Sequence, residues 1–73
     1  MTIHNKIKAL REGRDWTQAH LASRVNVFVG GQSPVSRQHV FKWEDSTTPS
    51  ARYLRPLAVI FETTVDALLG DDE

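Results

Sequence analysis

The chain has no cysteine, so no disulfide or thiolate metal site can hold it together, and its core must come from ordinary packing. Nor does it have a long apolar run. The longest, LAVIF at 57–61, is far too short to span a bilayer. The opening stretch MTIHNKIKALRE is amphipathic and charged where a signal peptide would carry an apolar centre. These absences make a soluble, cytoplasmic protein the expectation. At 73 residues there is room for one domain with a small core and little stability to spare. No stretch alternates with the period of a strand, and no segment repeats.

Net charge is also missing, but the charges are unevenly distributed. Residues 1–44 carry seven Lys/Arg against three acids, a balance of +4. Residues 45–73 carry Arg52 and Arg55 against six acids, a balance of −4. A molecule polarised in this way can present one basic face while staying soluble, although an ordinary mixed surface would give the same count.

What is present is a series of helix signals. Ile3, Ile7 and Leu10 recur at spacings of four and three, with Thr2 placed to cap the start and Gly13 and Asp15 where the helix should end. Thr17 opens a second helix of about two and a half turns, with Leu21, Ala22 and Val25 as its buried stripe. Trp16, just before that cap, is placed to close one helix onto the other. A loop is expected from Val27 to Pro34: Gly30 and Gly31 permit angles closed to other residues, and Pro34 disfavours helix at Ser33. Ser36 then caps RQHVFKWE. At 100° per residue, Val40, Trp43, Ser36 and Glu44 share a core-facing side of that helix. Gln38 and Lys42 lie opposite, with His39 and Phe41 on the flanks. After the polar loop DSTTPS, Ser50 caps SARYLRPLAVIF, where Pro56 implies either a separate first turn or a bend. Thr64 caps the short helix VDALL, which Gly70 closes. The expectation is an all-α domain of five short helices over residues 1–70, with a frayed acidic tail at 71–73.

The order of these pieces carries more than any one of them. LREGRDWTQAHLA, then VSRQHVFKWE, then TVDALLG together resemble the Xre/Cro class of phage-repressor-like helix-turn-helix DNA-binding domains, over roughly residues 3–70. The resemblance implies a compact five-helix lambda-repressor-like fold whose third helix lies in the DNA major groove. It departs from the pattern in two places. The segment from Asn26 to Val35 is an expanded turn, well beyond the usual three or four residues between helices 2 and 3. Glu62 stands where relatives often have a helix-ending glycine.

Carried over residue by residue, the resemblance assigns base contacts to Arg37, Gln38, His39 and Lys42. It assigns phosphate contacts to Gln18, Ser36 and Ser46. Arg37 can give a bidentate pair to guanine O6 and N7, and Gln38 to adenine N6 and N7, each worth about 1–3 kcal/mol against the wrong base. His39 can donate to a phosphate or accept at a base, and Lys42 can take a guanine or a phosphate. Without the motif, these four would read as a solvated polar face, and Gln18 as an exposed first-turn residue. Phe41 could touch thymine methyls. Packing under Phe28 and Val29 of the loop is favoured, which would leave the tip around Gln32 free to reach the DNA backbone. Arg11 and Glu44 match a pair that in this class bridges the first and third helices.

The function expected is a sequence-specific, repressor-like transcriptional regulator that binds double-stranded DNA as a homodimer on a palindromic site. The alternative is a protein-interaction module of the same fold, an antitoxin or adaptor, which Phe28 and Val29 favour. An enzyme finds no support. His4, His20 and His39 lie on separate segments as surface residues, with no metal-ligand spacing. GGQSP lacks the lysine of a phosphate-binding loop. No catalytic residue, cofactor or metal is therefore expected.

Overall fold

A computed structural model of the protein describes residues 2–30 and 34–70. It contains α1 (Ile3–Gly13), α2 (Gln18–Val29), α3 (Arg37–Asp45), α4 (Ala51–Ile60) and α5 (Val65–Leu69), and no strand among the described residues. Each helix begins at a serine or threonine: Thr2, Thr17, Ser36, Ser50 and Thr64. In three of them the side chain takes up a free first-turn donor. The hydroxyl oxygens of Thr2, Thr17 and Thr64 accept from the N–H of Asn5, His20 and Ala67 at 3.3, 3.0 and 3.0 Å.

Two helices end in the same way, on a left-handed residue that is not glycine. At the end of α1, Asp15 takes φ 58°, its N–H bonds the Glu12 carbonyl, and Trp16 N–H bonds Arg11 at 3.2 Å. At the end of α4, Glu62 takes φ 59°, its N–H bonds Val59, and Thr63 N–H bonds Ala58 at 2.8 Å. Both are Schellman closures, in which one left-handed residue lets the chain fold back on its last carbonyls.

The core is wholly apolar: Ile7 of α1, Leu21, Ala22 and Val25 of α2, Val35, Val40 and Trp43 around α3, Leu57, Ala58 and Phe61 of α4, and Leu68 of α5. α3 packs on both α1 and α2, while α4 lies against α2, and α5 closes the far side against α4 and α1. Long-range polar links tie the shell together. Lys6 of α1 donates to the carbonyls of Ala67, at 2.7 Å, and Gly70. Arg14 donates to the Phe61 carbonyl at 3.0 Å, with its guanidinium near the rings of Trp16 and Phe61. Trp16 does lie where α1 meets α2, stacked on Phe61 at 6.0 Å between ring centres.

Two expectations are corrected. α2 does not stop near Val25 but runs twelve residues to Val29, so Val27, Phe28 and Val29 are helical and the connection to α3 begins at Gly30. The end is set by Gly30, at φ 84°, whose N–H bonds Asn26 at 3.2 Å. His4 is half-buried, not a surface residue: its Nδ1–H donates to the Trp43 carbonyl at 2.9 Å, satisfying an acceptor in the last turn of α3. The choice left open at Pro56 also resolves. α4 is one helix from Ala51 to Ile60 with Pro56 buried inside it. The proline has no N–H for the carbonyl of Arg52, a loss of the order of 3 kcal/mol in a helix interior. Burial of its ring against the core offsets part of that cost. The acidic tail at 71–73 and Gln32 lie outside the described residues.

Candidate functional site

α3 is anchored by two side chains. Val40 is fully buried and Trp43 is 3 % exposed, with Trp43 lying 5.3 Å from the ring of Tyr53. Their spacing fixes one face of the helix inward, and the residues one-half turn away are therefore turned to solvent. Arg37, Gln38, His39, Phe41 and Lys42 are all exposed.

The orientation of α3 is set by a polar cluster at its end. Arg11 Nε donates to Glu44 Oε2 at 2.7 Å and Arg11 Nη2 to Oε1 at 3.2 Å. A further guanidinium N–H reaches the Trp16 carbonyl at 2.7 Å, and Gln18 Nε2 donates to Glu44 Oε1 at 3.2 Å. The two charged side chains are 11 % and 5 % exposed. One arginine thus joins α1, the α1–α2 turn and α3, and Glu44 draws in the first turn of α2. The hydrogen bond that Arg11 donates to Glu44, and the charge of that carboxylate, hold the guanidinium above its ordinary pKa, against the opposing effect of burial. The bridge between the first and third helices is present.

At the other end of α3, Ser36 N–H donates to His39 Nδ1 at 3.0 Å. The imidazole therefore closes its own helix start, as Glu or Gln does in a capping box. With Nδ1 accepting, His39 faces outward with Nε2, so its first role is in the cap.

Arg37, Gln38 and Lys42 differ from their neighbours. None of their side-chain donors is used in a hydrogen bond or ion pair among the described residues. Gln18 is half-buried and spends one amide hydrogen on Glu44, leaving a second hydrogen and the carbonyl. Ser36 and Ser46 are exposed at the two ends of α3, where Ser46 N–H closes the helix on the Lys42 carbonyl at 3.0 Å.

The expected packing of Phe41 beneath Phe28 and Val29 is not found. Phe41 is 55 % exposed and lines a small recess with Lys8, Gln18, Glu44 and Asp45, on the α1 side of α3. Phe28 faces α4 instead. The reason is the extra turn of α2: once residues 27–29 are helical, their directions are fixed by that helix and not by a loop free to fold over α3.

Sequence reasoning missed Asn26. Its Nδ2 donates to the Val35 carbonyl at 2.8 Å, and its Oδ1 accepts from Val35 N–H at 2.6 Å. The side chain acts as a two-point clamp on the residue just before the α3 cap. A weak helix-former within the apolar end of α2 was the available signal. Among the described residues no group of three His, Asp or Glu could hold a metal, and no helix is long and apolar enough to cross a membrane. Comparison with known protein families, with curated proteins and with solved structures finds no match.

Proposed function

We propose that this chain is a helix-turn-helix DNA-binding regulator of the phage-repressor-like class, cytoplasmic and without enzymatic activity. α2 and α3 form the motif, and α3 enters the major groove. The observation that carries the reading is the outward face of α3. Three strong donors, Arg37, Gln38 and Lys42, stand exposed and without a partner among the described residues, on a helix whose other face is locked into the core. A major groove admits an α-helix and offers the acceptors these side chains suit: O6 and N7 of guanine for Arg37 or Lys42, N7 with the N6 amino group of adenine for Gln38. Ser36, Ser46 and the remaining Gln18 hydrogen flank that face as phosphate contacts, which position without specifying. His39 contributes its outward Nε2 edge. Binding as a homodimer would place two copies of α3 on half-sites about 34 Å apart.

The test is an NMR titration with a random duplex at low and then raised salt, followed by selection of preferred sequences. Amide shifts centred on Gln18, Arg37 to Lys42 and Ser46, fading with salt, are expected. On a selected site, Arg37→Ala should weaken binding by about 1–3 kcal/mol and relax preference at one base pair. Absence of shifts on α3, or shifts confined to α4 and α5, would overturn the proposal.

A further inference from the structure

A groove of about 630 Å³ lies between the last turns of α2 and the outer face of α4, lined by Phe28, Val29, Arg52, Arg55, Pro56 and Val59, with Ala51 at its end. No residue of α3 takes part in it, so it is separate from the face proposed for DNA. Phe28 and Val59, 51 % and 54 % exposed, are two of the five large apolar side chains left open to water among the described residues, and both line this one groove. Scattered exposed apolar residues need no explanation, whereas a contiguous group does.

The charges beside it point to the occupant. Arg52 and Arg55 are the only cations in the half of the chain from residue 45 onward, which is otherwise acidic. Both line the groove, and among the described residues no carboxylate lines it or pairs with either. The Arg52 guanidinium lies 5.4 Å from the centre of the Tyr53 ring, a contact that uses none of its N–H donors. An apolar floor with two adjacent arginines is complementary to a ligand that brings bulky apolar side chains and carboxylates together. Phosphates would meet the arginines but leave Phe28 and Val59 uncovered.

We propose that this groove docks an acidic amphipathic helix of a protein partner, seating apolar residues at i, i+3 and i+4 spacing on Phe28, Val29, Pro56 and Val59 while its carboxylates pair with Arg52 and Arg55. The docking mode is helix-in-groove, and the fork of each guanidinium matches a carboxylate.

The probe is a synthetic helical peptide with leucine along one face and glutamate beside it, compared with a copy bearing glutamine for every glutamate. Titration of the labelled protein should shift Phe28, Val29, Arg52, Arg55 and Val59 and leave Arg37 to Lys42 unmoved. The glutamine copy should bind at least tenfold more weakly, and so should the Arg52→Glu, Arg55→Glu double variant with the original peptide. Both arginines are exposed, so the variant should keep its helical circular dichroism; Val59→Ser provides an independent apolar loss with the charges intact. Equal binding of the glutamine copy, unaltered binding by the variants, or no groove shifts at millimolar peptide would overturn the proposal. Duplex DNA shifting the groove residues would also overturn it, as would a concentration-dependent dimer that buries them. Groove shifts on removal of residues 71–73 would overturn it in favour of the chain's own acidic end. Loss of peptide binding leaves the DNA titration unaffected, so the two proposals fail separately.

Discussion

Glu44→Ala is the most informative single perturbation of this fold. The carboxylate accepts three hydrogen bonds, two from Arg11 at 2.7 and 3.2 Å and one from Gln18 at 3.2 Å, and it is 5 % exposed. Removing it leaves a guanidinium that is 11 % exposed with one bond to the Trp16 carbonyl. Glu12 lies 3.7 Å away but is 58 % exposed, too solvated to compensate. Breaking a buried pair from one side costs about 3–5 kcal/mol, and the surviving Trp16 bond reduces the expectation here to about 2–4 kcal/mol. A domain of this length holds only about 4–11 kcal/mol in total. The melting temperature should therefore fall by roughly 10–25 °C. Replacing both partners by apolar residues, Arg11→Met with Glu44→Leu, leaves no stranded charge and should recover much of the loss. Thermal and urea unfolding of the two single variants and the double variant would measure the coupling. Single losses under about 1 kcal/mol, or a double variant as unstable as the sum of the singles, would refute the argument. The pH dependence carries a sign of its own. Arg11 has a raised pKa, so its contribution is fully present below the ordinary arginine value and lost only as pH rises through the raised one. No slope from Arg11 should appear between about pH 5 and 9.

Three further outcomes are expected. Asn26→Ala should cost about 1–3 kcal/mol, because both groups of the Val35 peptide lose a partly buried partner; amide exchange at Val35 should accelerate more than at Val25, and equal acceleration would refute a local clamp. Glu62→Gly should stabilise the protein by about 0.5–1 kcal/mol, since an exposed side chain held at φ 59° gives way to a residue without that penalty. Asp15→Gly should gain less, because aspartate tolerates the left-handed region better. A loss of melting temperature in Glu62→Gly would refute the strain reading.

The five helix starts were legible because each is a local device, a serine or threonine before an apolar period, and local chemistry is written next to itself in the chain. The end of α2 was not. Phe28 and Val29 stand before two glycines and look like loop, yet the helix runs on through them because a non-local bond supports it: Asn26 is held by Val35, nine residues on. Pro56 illustrates the same limit. Its missing N–H is visible in the sequence, but the burial that keeps α4 continuous around it depends on helices distant in the chain.

The wheel of α3 placed Val40 and Trp43 inward and Gln38 and Lys42 outward, as found, but it also put Ser36 on the core side, where the cap residue is in fact exposed. It could not say which outward residues are already occupied. His39 is turned back to its own cap and Gln18 is partly spent on Glu44, which narrows the unspent donors to Arg37, Gln38 and Lys42. The same shift that corrected α2 also divides the molecule's surfaces. A loop carrying Phe28 could have leaned against Phe41 and made one continuous face; a helix carrying Phe28 turns it toward α4, while Phe41 stays with Lys8 and Gln18. Two separate faces result, one polar and rich in donors on α3, the other apolar and flanked by arginines on α4. One apolar core holds both, and no residue lines both recesses. That separation is the physical condition under which so short a chain could hold DNA with one side and a protein with the other.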